Sequence, residues 1–311
     1  MFHQSGVRLL SFLIIISAVS TVYSQDGPVK SNYPDGTLKA LETYQNGSLN
    51  GESRYYSESG ILKEIINYSR GRKDGIYRSY YESGVLKESM VFVNNKLNGE
   101  YSTFYPEGIL KEKGKYKDGV FEDTIKTWYE GGNINTVYFY RKGLREGVAK
   151  EFYQTGNLKV ESEYLNDAQN GKCDWYYENG VAKGTYNYSG GSLEGPAKEY
   201  YPDGSIMAEK NYNYSKLTGL VKNYYENGNL KSESNYENGE KDGTTKSYYQ
   251  NGTLWTEQHY EENNLDGDTK IYRDNGTLWY IETYREGKLI NSKEYSEDGK
   301  LVSEKNISGD E

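Results

Sequence analysis

The sequence predicts an all-β protein, an elongated and twisted antiparallel meander of about eleven 24-residue β-hairpin repeats. A glycine recurs at nearly constant spacing along most of the chain, and residues at fixed distances from it are uniformly aromatic or aliphatic. Composition agrees with a thin, two-faced sheet, because the 311 residues include 35 Tyr and 35 Gly while hydrophobic content is only 35%. A tyrosine buries its ring while keeping its hydroxyl in contact with water.

Twelve glycines set the period. Their first ten intervals are each 24 residues long, and the last is 23. A period in this range is typical of repeat arrays, in which each copy packs on its neighbours, so we predict one continuous array rather than two domains. The turn glycines are Gly36, Gly60, Gly84, Gly108, Gly132, Gly156, Gly180, Gly204, Gly228, Gly252, Gly276 and Gly299.

The residues before each glycine predict a tight turn. Pro34, Pro106 and Pro202 occupy the same place in three copies. Tyr-Pro-Asp-Gly is typical of a type I turn followed by a left-handed glycine, which makes a three-residue hairpin loop with a bulge. A two-residue Asn-Gly hairpin is the competing interpretation of the other copies, but it would place the prolines where a ladder N–H is needed.

This turn sets the strand register. The residue four before each glycine would face the residue two after it; the first column is aromatic from Tyr56 to Tyr295, and the second is mostly aliphatic from Leu38 to Leu301. A third aromatic column, from Tyr44 to Tyr284, lies six residues beyond the aliphatic one. Because side chains alternate between faces along a strand, we expect all three columns on one face of the sheet.

A second column of glycines marks the loops that join one hairpin to the next. It runs from Gly51 to Gly267 and is interrupted by Asp123, so we expect the copy containing Trp128 to be the most irregular. Two strands per copy at roughly 4.8 Å per strand give a rod about 100 Å long. A twist of about 20–25° per strand would turn it through more than one revolution.

The two ends of the chain differ from the array. Arg8 precedes an apolar run at 9–19, so residues 1–24 are typical of a secretory signal peptide cleaved before Gln25. The run is short for a transmembrane span, and an uncleaved anchor is the alternative. We expect residues 25–32 to be a solvated leader, 33–306 to form the array and 307–311 to be a polar tail. The mature protein is thus predicted to be extracytoplasmic, either periplasmic or secreted.

Charge narrows the range of partners. Cleavage of the signal peptide would leave 36 basic and 46 acidic side chains, a net charge of −10. Such a surface works against nucleic acid and anionic lipid. We therefore predict a protein or a cell-surface glycan as partner, no nucleic acid, and no intrinsic transmembrane span after cleavage. Cys173 is the single cysteine, so no intrachain disulfide is possible.

Few residues suit catalysis. Of the two histidines, His3 leaves with the signal peptide, and His259 together with Cys173 cannot form a zinc site or a Cys/His nucleophile pair. We expect Cys173 to be a buried filler and His259 a surface residue. The segment 264–268 lacks the alternating acids and terminal glutamate of a calcium loop. We therefore predict no catalytic residue, no metal and no cofactor.

Carboxylates recur copy by copy, which is unlike the single constellation of an active site. In the predicted register, some would form exposed ion pairs across the hairpin. Glu64, Glu88 and Glu112 would face Arg54, Arg78 and Ser102.

A column of tyrosines directly before the turns points away from the leucines and is a candidate partner-binding stripe. Lysines from Lys39 to Lys231 share its face, so one interpretation is a solvated ladder in which lysine stems cover the rings. The other is a row of flat rings presented to a glycan or a protein. The stripe consists of Tyr81, Tyr105, Tyr129, Tyr153, Tyr177, Tyr201, Tyr225 and Tyr249.

The repeat also resembles a known family. Tyr-Tyr-Glu-Asn-Gly followed by an aliphatic residue and lysine, as at 176–183 and 224–231, is similar to the MORN-variant repeat of bacterial proteins often labelled YwqK-like toxin–antitoxin system antitoxins. The resemblance covers roughly residues 33–306. It implies a meander of β-hairpins, a role in scaffolding or in membrane or protein association, and no catalysis.

Together these observations predict a secreted, non-enzymatic repeat protein that acts as an extracytoplasmic protein-interaction scaffold. One alternative is a glycan- or cell-wall-binding array that uses its stacked tyrosines. Another is an antitoxin-like partner protein.

Overall fold

The computed structural model describes residues 26–307, and every regular element in that range is a β-strand. Thirty strands form one open antiparallel sheet, which confirms the predicted all-β meander. The predicted signal peptide at 1–24 and all but the first residue of the predicted polar tail lie outside the described residues.

The strands follow one another as β1 (Gly27–Asn32), β2 (Leu38–Gln45), β3 (Ser48–Leu49), β4 (Gly51–Tyr56), β5 (Leu62–Ser69), β6 (Arg72–Tyr80), β7 (Leu86–Val93), β8 (Lys96–Leu97), β9 (Gly99–Phe104), β10 (Leu110–Lys117), β11 (Val120–Trp128), β12 (Ile134–Arg141), β13 (Leu144–Arg145), β14 (Gly147–Phe152), β15 (Leu158–Leu165), β16 (Ala168–Tyr176), β17 (Ala182–Ser189), β18 (Ser192–Leu193), β19 (Gly195–Tyr200), β20 (Ile206–Asn213), β21 (Lys216–Leu217), β22 (Gly219–Tyr224), β23 (Leu230–Glu237), β24 (Glu240–Tyr248), β25 (Leu254–Glu261), β26 (Asn264–Leu265), β27 (Gly267–Tyr272), β28 (Leu278–Arg285), β29 (Lys288–Tyr295) and β30 (Leu301–Asn306).

Pairing follows chain order. Six two-residue strands (β3, β8, β13, β18, β21 and β26) are each separated by a single residue from the strand that follows. We count each such pair as one hairpin leg, so the thirty strands form twenty-four legs and twelve hairpins. The first hairpin contains β1, whose residues Gly27 to Asn32 pair with β2. Residues 27–32 are therefore part of the sheet, rather than the solvated leader expected from the sequence.

Every hairpin turn uses the predicted three-residue loop. In the first turn, the Gly36 N–H donates to the Tyr33 carbonyl at 2.9 Å, and the Tyr33 N–H donates to the Thr37 carbonyl at 2.8 Å. All twelve turn glycines have φ between +79° and +93°. Only glycine adopts that region without steric cost, which explains why this column of the sequence is invariant.

The predicted register beside the turn is confirmed. Tyr56 faces Leu62, and the equivalent aromatic and aliphatic residues face each other in ten further hairpins, ending with Tyr295 and Leu301. One step further from the turn, Tyr55 faces Glu64, which leaves Lys63 as an extra residue on the returning strand. This is a β-bulge, and the same shift recurs in the other hairpins.

The bulge makes one sequence prediction wrong. An extra residue reverses the alternation of side chains, so the third aromatic column lies on the opposite face from the leucines. The ring of Tyr116, from that column, lies 4.8 Å from the ring of buried Tyr101. Leu110 instead borders a depression on the other face, together with Trp128. We call the side with Tyr56 and Leu62 the leucine face, and the side with Tyr101 and Tyr116 the core face.

The bulge also corrects the predicted ion pairs. Glu64 faces Tyr55 and Ser79 instead of Arg54. Glu88 is shifted in the same way and faces Ser79 and Thr103 instead of Arg78. Glu112 faces Thr103 and Thr127 instead of Ser102. These carboxylates consequently point to the core face.

The core is narrow and consists mostly of small residues. Two adjacent rows on the core face are buried along the array, and several positions leave no room for a larger side chain. At Gly114, an added Cβ would lie 2.9 Å from the Tyr101 ring, and at Gly184 it would lie 2.7 Å from the Tyr186 ring. The buried residues include Ala40, Ser53, Ile66, Tyr101, Ile125, Ala149, Val160, Ser162, Cys173, Ala197, Ala208, Val221, Ser234, Thr245, Thr256 and Thr269.

The copy containing Trp128 is not the irregular one that the missing glycine predicted. Asp123 occupies the glycine position with φ of 72°, and its carboxylate accepts a 2.7 Å hydrogen bond from the Thr124 N–H. β11 remains continuous and pairs with β10 and β12 in the usual way. A short polar side chain that bonds locally tolerates this conformation, so aspartate can replace glycine here.

Candidate functional site

The predicted tyrosine stripe lies along the turns on the core-face side, where its hydroxyls join successive hairpins. Tyr153 donates its hydroxyl to the Tyr176 carbonyl at 2.8 Å, a residue 23 positions later at the end of the next hairpin's first leg. Every other stripe member does the same at 2.7–2.9 Å. Tyr33, which precedes the stripe, makes the same bond to the Tyr56 carbonyl.

Lysines cover five of the eight stripe rings, and the ring of Tyr33 as well. The Nζ atoms of six bulge lysines lie 5.5–5.9 Å from the centroids of the tyrosines that precede them, within the range of a cation–π contact. The rings are half-buried. These contacts match the ladder interpretation of the stripe, and its role in binding a partner stays a prediction.

The stripe position is not tyrosine at three turns, and the last of these, at Ser296, is followed by no further hairpin within the described residues. Ser57 replaces tyrosine in the second turn, so that hairpin has no equivalent hydroxyl bond. Arg273 replaces it in the eleventh turn, where its guanidinium donates to the Tyr295 carbonyl at 2.7 Å and to the Leu278 carbonyl at 3.0 Å. The last period is one residue shorter, and the longer arginine makes the same inter-hairpin connection across it.

Tyrosine–glutamate pairs on the core face were missed by the sequence analysis. The Tyr77 hydroxyl donates to Glu64 at 3.2 Å, and the Tyr138 hydroxyl donates to Glu151 at 2.7 Å. Burial, followed by the charge of Glu64, raises the pKa of Tyr77 to about 12. The pKa of Tyr138 is also raised, first by burial and then by its bond to Glu151. The pairs satisfy half-buried carboxylates with neutral donors, which is a structural role.

Two open depressions lie at the middle of the array, one on each face. The core-face depression has a volume of about 420 Å³ and is bordered by Tyr138, Glu151, Gln169 and Trp175. Trp175 is 38% exposed. The leucine-face depression has a volume of about 400 Å³, and Lys113, Lys115, Lys126 and Trp128 are among its lining residues.

A charged row crosses the leucine face, two positions further from the turns than the Tyr56–Leu62 row. Its members face one another from strand to strand across the whole sheet, beginning with Lys30 opposite Leu41 and ending with Lys293 opposite Glu304. In the C-terminal part, lysine faces glutamate: the Lys198–Glu209 distance is 2.9 Å and the Lys293–Glu304 distance is 3.4 Å. The bond to Lys198 is the main cause of the lowered pKa of Glu209.

The residues considered for chemistry lie apart. Cys173 is fully buried, 2.9 Å from the Ser162 hydroxyl, and burial raises its thiol pKa. His259 is exposed on the leucine face opposite Thr244. Between residues 26 and 307, no three His, Cys, Asp or Glu side chains come together as a metal site would require. That same range contains no helix suited to crossing a bilayer.

Comparison with known families gives a clear match. The profile of the family described as MORN repeat variant matches nine segments of the chain: 25–46, 49–70, 73–94, 97–118, 145–166, 193–214, 217–238, 241–262 and 265–286. Three copies, beginning near residues 121, 169 and 289, are not matched although they form hairpins like the others. The first two contain Asp123 and Gly184, both departures from the repeat pattern, and the third falls in the shortened last period. No curated protein matches the chain.

Three solved structures align over most of the chain at 12% identity. The alignment with the crystal structure of TcdB2-TccC3-Cdc42 covers 90% of this chain and 17% of the other chain, with a TM-score of 0.19. For TcdB2-TccC3 without its hypervariable C-terminal region, the alignment covers 92% of this chain and 20% of the other, with a TM-score of 0.19. For TcdB2-TccC3-TEV it covers 86% and 20%, with a TM-score of 0.17. This chain thus spans at most a fifth of those chains, and TM-scores this low do not establish a shared fold.

Proposed function

This chain belongs to the MORN repeat variant family, whose repeats build binding scaffolds, and we propose on that premise that it is a non-enzymatic scaffold for a partner protein outside the cytoplasm. The family match covers the repeats of the array and does not by itself assign a partner, a location or an activity. The protein partner, the location and the lack of catalysis are our proposals.

The observation that carries the proposal is the uncovered leucine face. The array is one sheet, and within residues 26–307 no second layer packs on it. Ile76, Val148 and Leu220 occupy one column of that face, at intervals of 72 residues, and are 42%, 46% and 45% exposed. A sheet face that stays open along its length, with aliphatic side chains beside rows of charge, is available for contact with another protein.

Crosslinking tests the proposal. A photoreactive residue in place of Ile76 or Leu220 should give a discrete protein adduct in the extracytoplasmic fraction of the native host. The same group in place of Tyr214, which is 79% exposed in a loop between hairpins, is the matched control and should give none. Adducts of equal yield at all three positions, or none at the two sheet positions, would contradict a protein-binding leucine face.

Location and catalysis have separate tests. N-terminal sequencing should show that the mature protein begins at Gln25. A protein that retains Met1 and is found in the cytoplasmic fraction would refute the predicted location. Purified protein should show no hydrolase activity on glycan or peptide libraries. Activity abolished by changing a single carboxylate would refute the non-enzyme proposal.

Glycan binding is the second candidate function, and the core-face depression favours it. An exposed Trp175 beside Glu151 and Gln169 combines a flat ring with hydrogen-bonding groups, as saccharide sites do. The tyrosine stripe supports this candidate less, because its hydroxyls are bound to carbonyls within the chain. Binding on a glycan array that is lost in Trp175→Ala, but kept in Tyr177→Phe, would favour it. An antitoxin-like role is a special case of protein binding and would require a toxin as the crosslinked partner.

A further inference from the structure

The charged row on the leucine face is divided into two unlike halves. From Lys30 to Lys150 its charged members are all cations, whereas from Glu161 onwards lysines and acids occur together. The N-terminal half contains Lys30, Leu41, Arg54, Ile65, Arg78, Ser89, Ser102, Lys113, Lys126, Val137 and Lys150. The C-terminal half contains Glu161, Asp174, Thr185, Lys198, Glu209, Lys222, Glu233, Lys246, Glu257, Lys270, Ile281, Lys293 and Glu304.

The contrast is sharpest where two lysines meet. Lys113 faces Lys126 directly, an arrangement of like charges that destabilises a sheet. The nearest acid to Lys113 is Glu100, whose carboxylate oxygen lies 3.9 Å from the Lys113 Nζ and is largely exposed. At the matching place in the C-terminal half, Lys222 faces Glu233 and Glu209. The same scaffold position is thus neutralised in one half and left cationic in the other.

This cationic segment borders open space. Lys113, Lys115 and Lys126 line the leucine-face depression of about 400 Å³, together with Glu100, Asp123 and the Trp128 indole. Lys113 is 52% exposed. Arg54, further along the row, contacts Glu52 at 2.7 Å and is 48% exposed. The three lysines outnumber the two carboxylates, and with the Trp128 ring they border a recess that a ligand's anionic group can enter.

Aliphatic side chains lie between the cations, and they restrict the kind of polyanion. Leu41, Ile65 and Val137 belong to the row itself, and exposed Ile76 and Val148 lie beside it. These groups offer no hydrogen bonds to the hydroxyls of an acidic polysaccharide. They suit a polypeptide that carries acidic and apolar side chains together.

Geometry favours an extended chain over a membrane. Adjacent strands are about 4.8 Å apart, so cations on alternate strands, such as Arg54 and Arg78, are separated by about 10 Å along the row. An extended peptide reaches that distance with every third residue, at about 3.3 Å per residue. Because each strand is rotated by about 20–25° from the last, the row winds, and a flexible peptide can follow it while a flat bilayer cannot.

We propose that the part of the cationic half-row formed by Arg54, Arg78, Lys113 and Lys126 binds an extended acidic segment of the partner protein; Lys150, at its end, is already paired with Glu161 at 3.5 Å. The Lys113–Lys126 recess is its principal anion site. This inference rests on the proposed protein-binding function and identifies the chemistry of the partner.

A peptide-binding experiment tests it. The probe is a fluorescent 15-residue peptide with glutamate at every third position and valine or serine between, measured by anisotropy with the full mature chain. Lys113→Gln/Lys126→Gln should weaken binding about tenfold. The matched control, Lys222→Gln/Lys246→Gln, removes two cations from the balanced half of the row and should change the affinity less than twofold. Urea midpoints of both variants equal to that of the unmodified chain would show that the fold is intact.

Three outcomes would overturn the inference. The first is equal loss of affinity in both double variants, which indicates net charge rather than a site. The second is equal binding of the same peptide with glutamine in place of glutamate. The third is binding of heparin or of phosphatidylglycerol vesicles that depends on Lys113 while the peptide does not bind. Should Ile76 crosslink a protein while the peptide affinity is unchanged by Lys113→Gln/Lys126→Gln, the proposed function survives and this inference fails.

Discussion

The hydroxyls of the tyrosine stripe should contribute measurably to the stability of the array. Tyr153→Phe removes one hydroxyl, which donates at 2.8 Å to the Tyr176 carbonyl, and leaves the ring in place. A hydrogen bond of this kind contributes about 0.5–1.5 kcal/mol net. We expect the free energy of unfolding to fall by about 1 kcal/mol.

The triple variant Tyr153→Phe/Tyr177→Phe/Tyr201→Phe gives a larger effect. Equivalent tyrosines lie two strands apart, at about 10 Å, a separation at which stability changes are usually additive. The summed loss should be about 3 kcal/mol. Urea titration followed by circular dichroism measures it, with Tyr214→Phe as the control because that ring is 79% exposed.

A triple variant within about 0.5 kcal/mol of the parent would refute this reasoning, since surface changes lie in that range. The hydroxyls would then be free, in energetic terms, to exchange their carbonyl partners for a ligand. A loss near the expected value would instead favour the ladder interpretation of the stripe.

Three further predictions concern the core face. The folded chain raises the pKa of Tyr77 to about 12, so the protonated Tyr77 hydroxyl stabilises the fold fully below its unfolded pKa near 10, and this contribution is lost as the pH rises from 10 to 12. The urea midpoint should therefore stay constant from about pH 7 to 9 and fall above about pH 10. Gly114→Ala should cost about 1–3 kcal/mol, because its Cβ would lie 2.9 Å from the Tyr101 ring, whereas Gly131→Ala, with no atom within 4 Å, should be near neutral in the same urea titration. Thr245→Val should raise the unfolding free energy by about 1 kcal/mol, because the buried Thr245 hydroxyl has no hydrogen-bond partner within the described chain; a lower urea midpoint would contradict this.

Local features of the fold could be predicted from the sequence because their causes are local. The turn and the Tyr56–Leu62 pair depend on a stretch of seven residues, in which a left-handed glycine and a proline-compatible loop set the geometry. The period then repeats that geometry along the chain. All of these features are present in the structure.

The face assignments could not be predicted in the same way. One extra residue, Lys63 and its equivalents, moves every side chain beyond it to the other face, and simple alternation gives no sign of it. For that reason simple alternation places Tyr68 and Glu64 on the wrong face. The small residues at positions such as Ser53 and Ala197 are the one signal that could have revealed the buried row.

The candidate surfaces depend on contacts between copies. The stripe tyrosines form an evident column, but the carbonyl that each one reaches is 23 residues away and belongs to another hairpin. The charged row appears only when the shifted register aligns Lys198 with Glu209 and Lys113 with Lys126. Neither relation follows from a single copy.

Twelve hairpins with one shared pairing pattern have a consequence for how the chain reaches its native state. A leg that skips one copy meets nearly the same partners, so slipped frames compete with the correct one during folding. Copies that break the pattern penalise such frames. Arg273 reaches across a period one residue shorter than the rest, and Ser57 leaves one connection unmade. These departures from the repeat make slipped pairings less favourable than the native one, which a perfectly uniform sequence would not do.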